Sequence, residues 1–226
     1  MNPPVLAIDG PSGSGKGAVG VLVARRLGWR YLDSGAFYRA LALRVIEEGV
    51  AATDAVAVGA LADTLDLSFA PAAMGPETSG FRLGGRDVTE EIRSERCGTV
   101  ASEIATHAAV RSALLAKQRS QRKAPGLVAD GRDMGTTVFP DAILKVFLTA
   151  SPEVRAERRY KQLKEKGFSV TLPQLLGEIR ARDARDMERA ASPLRPASGA
   201  FTLDSSAIAI DAVVELILGR LRNRLE

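Results

Sequence analysis

The chain has 226 residues, 46% hydrophobic and 26% charged, a globular composition that excludes disordered, collagen-like and fibrous classes. Lysine and arginine number 31 against 27 aspartate and glutamate, a net charge of +4. The single cysteine, Cys97, excludes an intrachain disulfide and suits a reducing compartment, and with the single histidine, His107, it cannot build a His/Cys zinc site.

The length fits one α/β domain with an insertion better than two independent domains, and there is no internal repeat. Pro4 to Ile8 is a short apolar run stopped by Asp9-Gly10, which reads as a buried strand. A helix is expected over Lys16–Leu27 with Gly28 as its stop, and Gly20 inside it costs roughly 1 kcal/mol relative to alanine. Trp29–Leu32 reads as a strand ending at Asp33, followed by helices over Phe37–Glu48 and Ala55–Leu65. From Asp66 to Ile92 the pattern changes. Three β-like pieces, Asp66–Ala70, Gly80–Leu83 and Asp87–Ile92, are separated by Pro71, Gly75-Pro76 and Gly84-Gly85, an antiparallel meander rather than a βαβ unit. Ser94–Lys123 then reads as one helix. Strands are expected over Gly126–Ala129, Ala142–Leu148 and Ala200–Leu203, and helices after Ser151-Pro152, over Leu172–Arg189 and over Ala212–Arg224. Strand–helix alternation with apolar strands implies a five-stranded parallel sheet flanked by helices, with ligands at the carboxyl ends of the strands. Asp9, Asp33, Asp130 and Asp204 stand there, although aspartates are common beside turns in any case.

Between the first strand and the first helix lies Gly10-Pro11-Ser12-Gly13-Ser14-Gly15-Lys16, a G-x-x-x-x-G-K phosphate-binding loop in its required context. The glycines let successive N–H groups turn toward one phosphate, the helix N-terminus adds its positive end, and Lys16 brings a mobile cation. The Ser or Thr that usually follows the lysine and meets Mg²⁺ is missing, because Gly17 and Ala18 carry no hydroxyl. Mg²⁺ leans on waters and nucleotide phosphates, so metal use survives that loss.

Three further motifs follow in order: Asp33-Ser34-Gly35-Ala36-Phe37-Tyr38-Arg39, Asp130-Gly131-Arg132-Asp133-Met134-Gly135-Thr136, and Arg182-Asp183-Ala184-Arg185-Asp186-Met187-Glu188-Arg189. With the loop, they make the chain resemble the bacterial cytidylate kinases, from about Leu6 to Asp204. The resemblance implies a P-loop NTPase fold in a single nucleoside monophosphate kinase domain, 1–226. Its core would be 1–65, 93–150 and 171–226, its monophosphate-binding β insertion 66–92 and its helical lid 151–170. It also implies transfer of the γ-phosphoryl group of ATP to CMP or dCMP. ATP and CMP together carry about six negative charges, so the protein must position and neutralise more than it must do covalent chemistry. Arginine forks suit that task.

By the same resemblance, Gly10 to Lys16 with Gly17 and Ala18 would bind ATP. Arg39, Arg132 and Arg189 would hold the CMP phosphate, with Asp33 and Ser34 supporting that site. Arg182 and Asp186 would hold the sugar hydroxyls. Ser102, Arg111 and Asp133 would read the cytosine, whose exocyclic amine matches a carboxylate that uracil would repel. Lys16 and Arg132, with Arg155, Arg158, Arg159, Arg182 and Arg185 brought in by a closing lid, would serve the transferring phosphoryl group. Asp130 would line the CMP site and organise Mg²⁺ and its waters, and no residue is assigned as a direct metal ligand.

Taken singly, several of these have plainer readings. Asp33 or Ser34 caps the next helix equally well. Asp130 and Asp9 serve as strand-end acceptors. The arginines of the last motif and of the lid make ordinary solvated faces. A sequence pI of 9.4 admits a nucleic-acid partner, but aromatics are only 5% and the arginines are scattered beside carboxylates, which favours a small phosphate-bearing ligand. No Asn-Lys-x-Asp segment supports a guanine-reading switch. The apolar stretches are too short to cross a bilayer, and no charged n-region with an apolar h-region opens the chain. The expectation is a cytoplasmic monomer working on ATP and CMP or dCMP with Mg²⁺, without nucleic acid or membrane.

Overall fold

A computed structural model describes residues 2–69, 80–165 and 167–225. The expected strand end at Ala70 and the turns at Pro71 and Gly75-Pro76 lie outside them. In chain order the elements are β1 (Val5–Asp9), α1 (Lys16–Leu27), β2 (Arg30–Asp33), α2 (Ser34–Glu47), α3 (Ala55–Asp63), β3 (Leu67–Phe69), β4 (Phe81–Leu83), β5 (Arg86–Asp87), α4 (Glu95–Ile104), α5 (Ala108–Arg119), β6 (Leu127–Gly131), β7 (Leu144–Thr149), α6 (Pro152–Glu165), α7 (Leu172–Glu188), β8 (Phe201–Asp204) and α8 (Ile210–Leu225). They fall into two compact units, Met1–Tyr31 with Lys123–Glu226, and Leu32–Arg122.

The first unit is built on the parallel sheet, whose order is β2-β6-β1-β7-β8. All five residues of β1 are buried, as a parallel strand covered on both faces requires. Its register sets Ile8 beside Asp130, Asp9 beside Gly131 and Phe147, and β7 sets Thr149 beside Asp204. The carboxyl ends of four strands are thereby levelled. β6 runs two residues past its expected end at Ala129, so Asp130 sits inside the strand rather than after it. Leu6, Ile8, Val128, Val146 and Leu148 pack with Val19 and Val23 of α1 and with Val214, Ile217 and Leu221 of α8. Each such side chain contributes about 1.5–3 kcal/mol by leaving water. Helices α6 and α7 share a smaller core of Ala156, Leu163 and Leu175, flanked by Tyr160 and Ile179. Their starts are capped as the sequence foretold for α6: Ser151 Oγ accepts from Val154 N at 3.2 Å, and Thr171 Oγ1 accepts from Gln174 N at 3.4 Å.

The second unit holds α2 to α5 and a three-stranded antiparallel sheet in the order β3-β4-β5. Gly84 and Gly85, with φ of 55° and 83°, make the tight turn between β4 and β5 that residues with a Cβ resist. Phe69 stacks between Phe37 at 5.4 Å and Phe81 at 5.7 Å. The third expected strand is short: only Arg86–Asp87 pairs, and a 3₁₀ turn over Glu91–Arg93 follows. The single helix expected over Ser94–Lys123 is two helices. Thr106 Oγ1 donates to the Glu103 carbonyl at 2.7 Å, and His107 Nε2 lies 2.7 Å from the Ala52 carbonyl oxygen, so local side-chain bonds end α4 and His107 turns the chain into α5.

Candidate active site

The phosphate loop is built as its glycines require. A Cβ on Gly10 would lie 2.0 Å from the Leu148 carbonyl oxygen, and Gly15 holds φ 90° at the N-cap of α1. Lys16 arches back over the loop. Its Nζ donates to the Pro11 carbonyl at 3.3 Å and stands 3.8 Å from Asp130 Oδ1. Ser14 Oγ is buried with no hydrogen-bond partner among the described residues, a donor that a phosphate oxygen would satisfy.

Two arginines of α6 hold this loop from outside. Arg155 is 3% exposed. It donates through Nε to the Ala150 carbonyl at 2.8 Å and through Nη1 to the Ser12 carbonyl at 3.1 Å. Its fork meets Asp183 at 3.0 Å and 2.5 Å. Arg158 donates to the Ser14 carbonyl at 3.3 Å and to the Ser205 carbonyl at 2.6 Å. Ser205 Oγ is itself 3.1 Å from the Ser14 carbonyl oxygen and 3.0 Å from that of Thr149. The carbonyls of Ser12 and Ser14 are thus taken up by α6 and Ser205. Asp183 and Ser205 were not singled out in the sequence, although Asp183 lies in the last arginine motif. Arg159 is half-buried on α6, and Arg185 is exposed on α7.

A second arginine set surrounds Asp186, which is 5% exposed. Arg132 Nε donates to its Oδ2 at 2.9 Å. Burial would raise the Asp186 pKa, but Arg132, Arg182 and Arg189 outweigh it and hold the carboxyl below its ordinary value of 3.8. Arg189, the C-cap of α7, donates through Nε to the Ser192 carbonyl at 2.6 Å.

The loop carrying Arg132 is fixed by Asp9. That carboxylate accepts from Met134 N at 2.7 Å and Gly135 N at 2.8 Å, and Met134–Val138 forms a π-helical turn. Burial pushes the Asp9 pKa up to about 7 against the pull of those two N–H groups. Asp9 is therefore a structural acceptor. Asp133 is buried just before the turn, its carbonyl taking the N–H groups of Thr137 and Val138. Asp204 accepts from Ser206 N at 2.8 Å and closes its own turn.

In the second unit, Asp33 occupies the N-cap position of α2 but makes no capping bond, and Ser34 beside it is buried. Arg39 Nη1 donates to the carbonyls of Ile92 at 2.9 Å and Ser94 at 3.2 Å, and the guanidinium lies where a Cβ on Gly98 would intrude at 2.9 Å. Ser102 is on α4, its Oγ buried without a partner among the described residues. Arg111, on α5, reaches back to the Ala105 carbonyl at 3.4 Å and lies 5.8 Å above the Tyr38 ring. The nine-residue step from Ser102 to Arg111 thus crosses a helix break. Of the residues expected to read cytosine, Ser102 and Arg111 belong to the second unit and Asp133 to the first.

Among the described residues no group of three or more His, Cys, Asp or Glu gathers as a metal cage, and no helix is long and apolar enough to cross a membrane.

A family model described as cytidylate kinase matches residues 6–223. The cytidylate kinase of Pseudomonas aeruginosa (strain UCBPP-PA14) is 57% identical over 215 residues, covering 95% of this chain and 93% of that protein. Those of Methylococcus capsulatus (strain Bath) and Burkholderia ambifaria are 55% and 54% identical, covering 95% of this chain and 95% and 91% of theirs. Among solved structures, TT1252 from Thermus thermophilus aligns over 100% of both chains with a TM-score of 0.48 and 19% identity; the weight rests on the sequence relatives. Because the family match runs from the first strand into the last helix and takes in both units, the whole chain, and not its phosphate loop alone, belongs to the cytidylate kinase family.

Proposed function

We propose that this chain transfers the γ-phosphoryl group of ATP to CMP, and to dCMP, giving ADP and CDP or dCDP. One observation carries the reading: the first unit holds both a phosphate loop with Lys16 beside Asp130 and three guanidinium groups, Arg132, Arg182 and Arg189, collected on Asp186. The loop N–H groups and Lys16 grip the ATP phosphates. Arg132 and Arg189 hold the CMP phosphate. Asp186 keeps Arg132 aimed and accepts from the sugar hydroxyls with Arg182 beside it. Arg159 and Arg185 add positive charge for the transferring group. The acceptor phosphate is already an anionic nucleophile, so no side chain needs to be a strong base.

Asp130 is the carboxylate next to Lys16 and fits Mg²⁺ held mainly by phosphates and water, since the described residues supply no fuller donor set. When bound, the metal neutralises charge on the β- and γ-phosphoryl oxygens. The Ser102 hydroxyl, which has no hydrogen-bond partner among the described residues, and Arg111 supply donors for O2 and N3 of cytosine. Asp33 and Ser34 support the monophosphate.

An ADP-release assay with Mg·ATP and CMP, dCMP, UMP, AMP or GMP tests this. CMP and dCMP are expected to lead the others by at least about tenfold in kcat/KM. UMP preferred over CMP overturns the cytosine assignment. ATP binding without ADP release in the presence of CMP turns the chain into a nucleotide-binding module.

A further inference from the structure

Helix α1 carries two glycines one turn apart, Gly17 and Gly20, where alanine would be the better helix former. Both face Tyr31. A Cβ on Gly20 would lie 2.8 Å from Tyr31 Cε2, inside contact distance with the ring. A Cβ on Gly17 would lie 3.6 Å from Tyr31 Oη and 3.3 Å from Asp130 Oδ2. The two glycines form a slot for the phenol, and the slot delivers its hydroxyl to one carboxylate: Tyr31 Oη donates to Asp130 Oδ2 at 2.9 Å. The other oxygen, Asp130 Oδ1, stands 3.8 Å from Lys16 Nζ.

Position 17 is the one at which a phosphate loop ordinarily carries the Ser or Thr hydroxyl that meets Mg²⁺. Here that residue has no side chain, and a hydroxyl from β2 comes within contact distance of where its Cβ would be. We infer that Tyr31 is a positioning residue for the Mg·ATP site: it supplies from the neighbouring strand the hydroxyl that Gly17 lacks and uses it to orient Asp130. The phenol fixes which carboxylate oxygen turns toward Lys16 and leaves Asp130 preset to receive metal-bound water. This explains a missing loop hydroxyl and two helix glycines with one contact. It rests on the Mg·ATP reading proposed above.

The test is calorimetric, with purified full-length protein and ATP, once with Mg²⁺ and once with EDTA. The quantity read is the ratio of the two affinities. Tyr31→Phe keeps the ring in its slot and removes only the hydroxyl. Its expected effect is a fall of about tenfold in that ratio, the scale seen when an outer-shell partner of a metal site is lost, with ATP affinity in EDTA within about twofold of wild type. Gly20→Ala, which pushes the ring aside without touching the loop, is expected to lower the ratio in the same direction. Gly17→Ser in the Tyr31→Phe background puts a hydroxyl back and is expected to recover most of the loss. An unchanged ratio in Tyr31→Phe, or equal losses with and without Mg²⁺, overturns the inference while wild type still binds Mg·ATP. A wild type that binds no ATP in either condition sinks the proposed function and this inference with it.

Discussion

The first unit contains two sets of arginines that are alike in composition and opposite in engagement. Arg155 and Arg158 on α6 donate to the Ser12 and Ser14 carbonyls of the phosphate loop, to the carbonyls of Ala150 and Ser205, and to Asp183. Arg132, Arg182 and Arg189 surround one buried carboxylate, Asp186, which Arg132 bonds directly and whose pKa all three lower. A guanidinium tied to carbonyls and a partner carboxylate shapes the loop. Three guanidinium groups grouped round one carboxylate make a positive environment of the kind that phosphate oxygens prefer. The difference shows that counting arginines near a phosphate loop does not locate the phosphate; what matters is whether they clasp the loop itself or gather round a separate carboxylate.

The largest expected effect breaks the second set. Arg132→Ala should lower kcat/KM for CMP by roughly 10³-fold, about 4 kcal/mol, with the loss appearing in both CMP KM and kcat. ATP affinity should change little. Normal CMP kinetics would remove Arg132 from the acceptor site and erase the distinction between the sets.

Breaking the first set should read differently. Arg155→Ala strands Asp183 in a largely buried place and unties the Ser12 carbonyl. Removing one partner of a buried pair costs about 3–5 kcal/mol of stability, so thermal melting should show a marked drop. The KM for ATP should rise while that for CMP stays within about twofold. If Arg155→Ala instead destroys kcat without moving the melting temperature, Arg155 acts on the phosphoryl group as the lid resemblance implies, and the comparison collapses.

Much of the first unit was legible because its boundaries are chemical. Helix α1 ran from Lys16 to Leu27 as expected, since Gly15 and Gly28 at its ends take the left-handed conformations, φ 90° and 65°, that a Cβ disfavours. The break between α4 and α5 was not legible. No glycine or proline marks it, and the bonds that make it include one from His107 to Ala52, far away in sequence. The π-helical turn after Asp133 was hidden for the same reason: Asp9, on another strand, collects the N–H groups of Met134 and Gly135. Motifs named candidate residues for the site but not what each one bonds. Asp33, Asp130, Asp9 and Asp204 all stand at strand ends in the sequence, yet Asp9 and Asp204 are taken up by backbone N–H groups.

A smaller effect sharpens the account of Asp186. Its folded pKa lies below the ordinary 3.8, so it contributes stability that is present above pH 3.8 and is lost as pH falls through the folded value. Urea melts across pH 2–6 should show wild type losing stability relative to Asp186→Asn in the acid range, with a differential slope of at most one proton, about 1.4 kcal/mol per pH unit. A difference that is flat across that range would mean the three arginines do not act on Asp186 as a set.

The smallest effect tests the outer end of the loop clamp. Ser205 is 4% exposed, and its hydroxyl has one proton for two carbonyls, those of Ser14 and Thr149, while Arg158 Nη1 donates to it at 3.2 Å. Ser205→Ala removes this relay but leaves the Arg158 bonds to the Ser14 and Ser205 carbonyls in place. The stability loss should be about 1 kcal/mol, that of one net hydrogen bond. The KM for ATP should rise severalfold, because the Ser14 carbonyl then loses one side-chain donor, Ser205, and keeps another, Arg158, and the CMP KM should not move. Ser205→Thr keeps the hydroxyl and should recover the ATP KM more than it recovers stability, since the added methyl must fit a buried place. An ATP KM that ignores the hydroxyl in both variants would mean the loop keeps its shape through its glycines and Arg158 without Ser205, and would limit the clamp to α6.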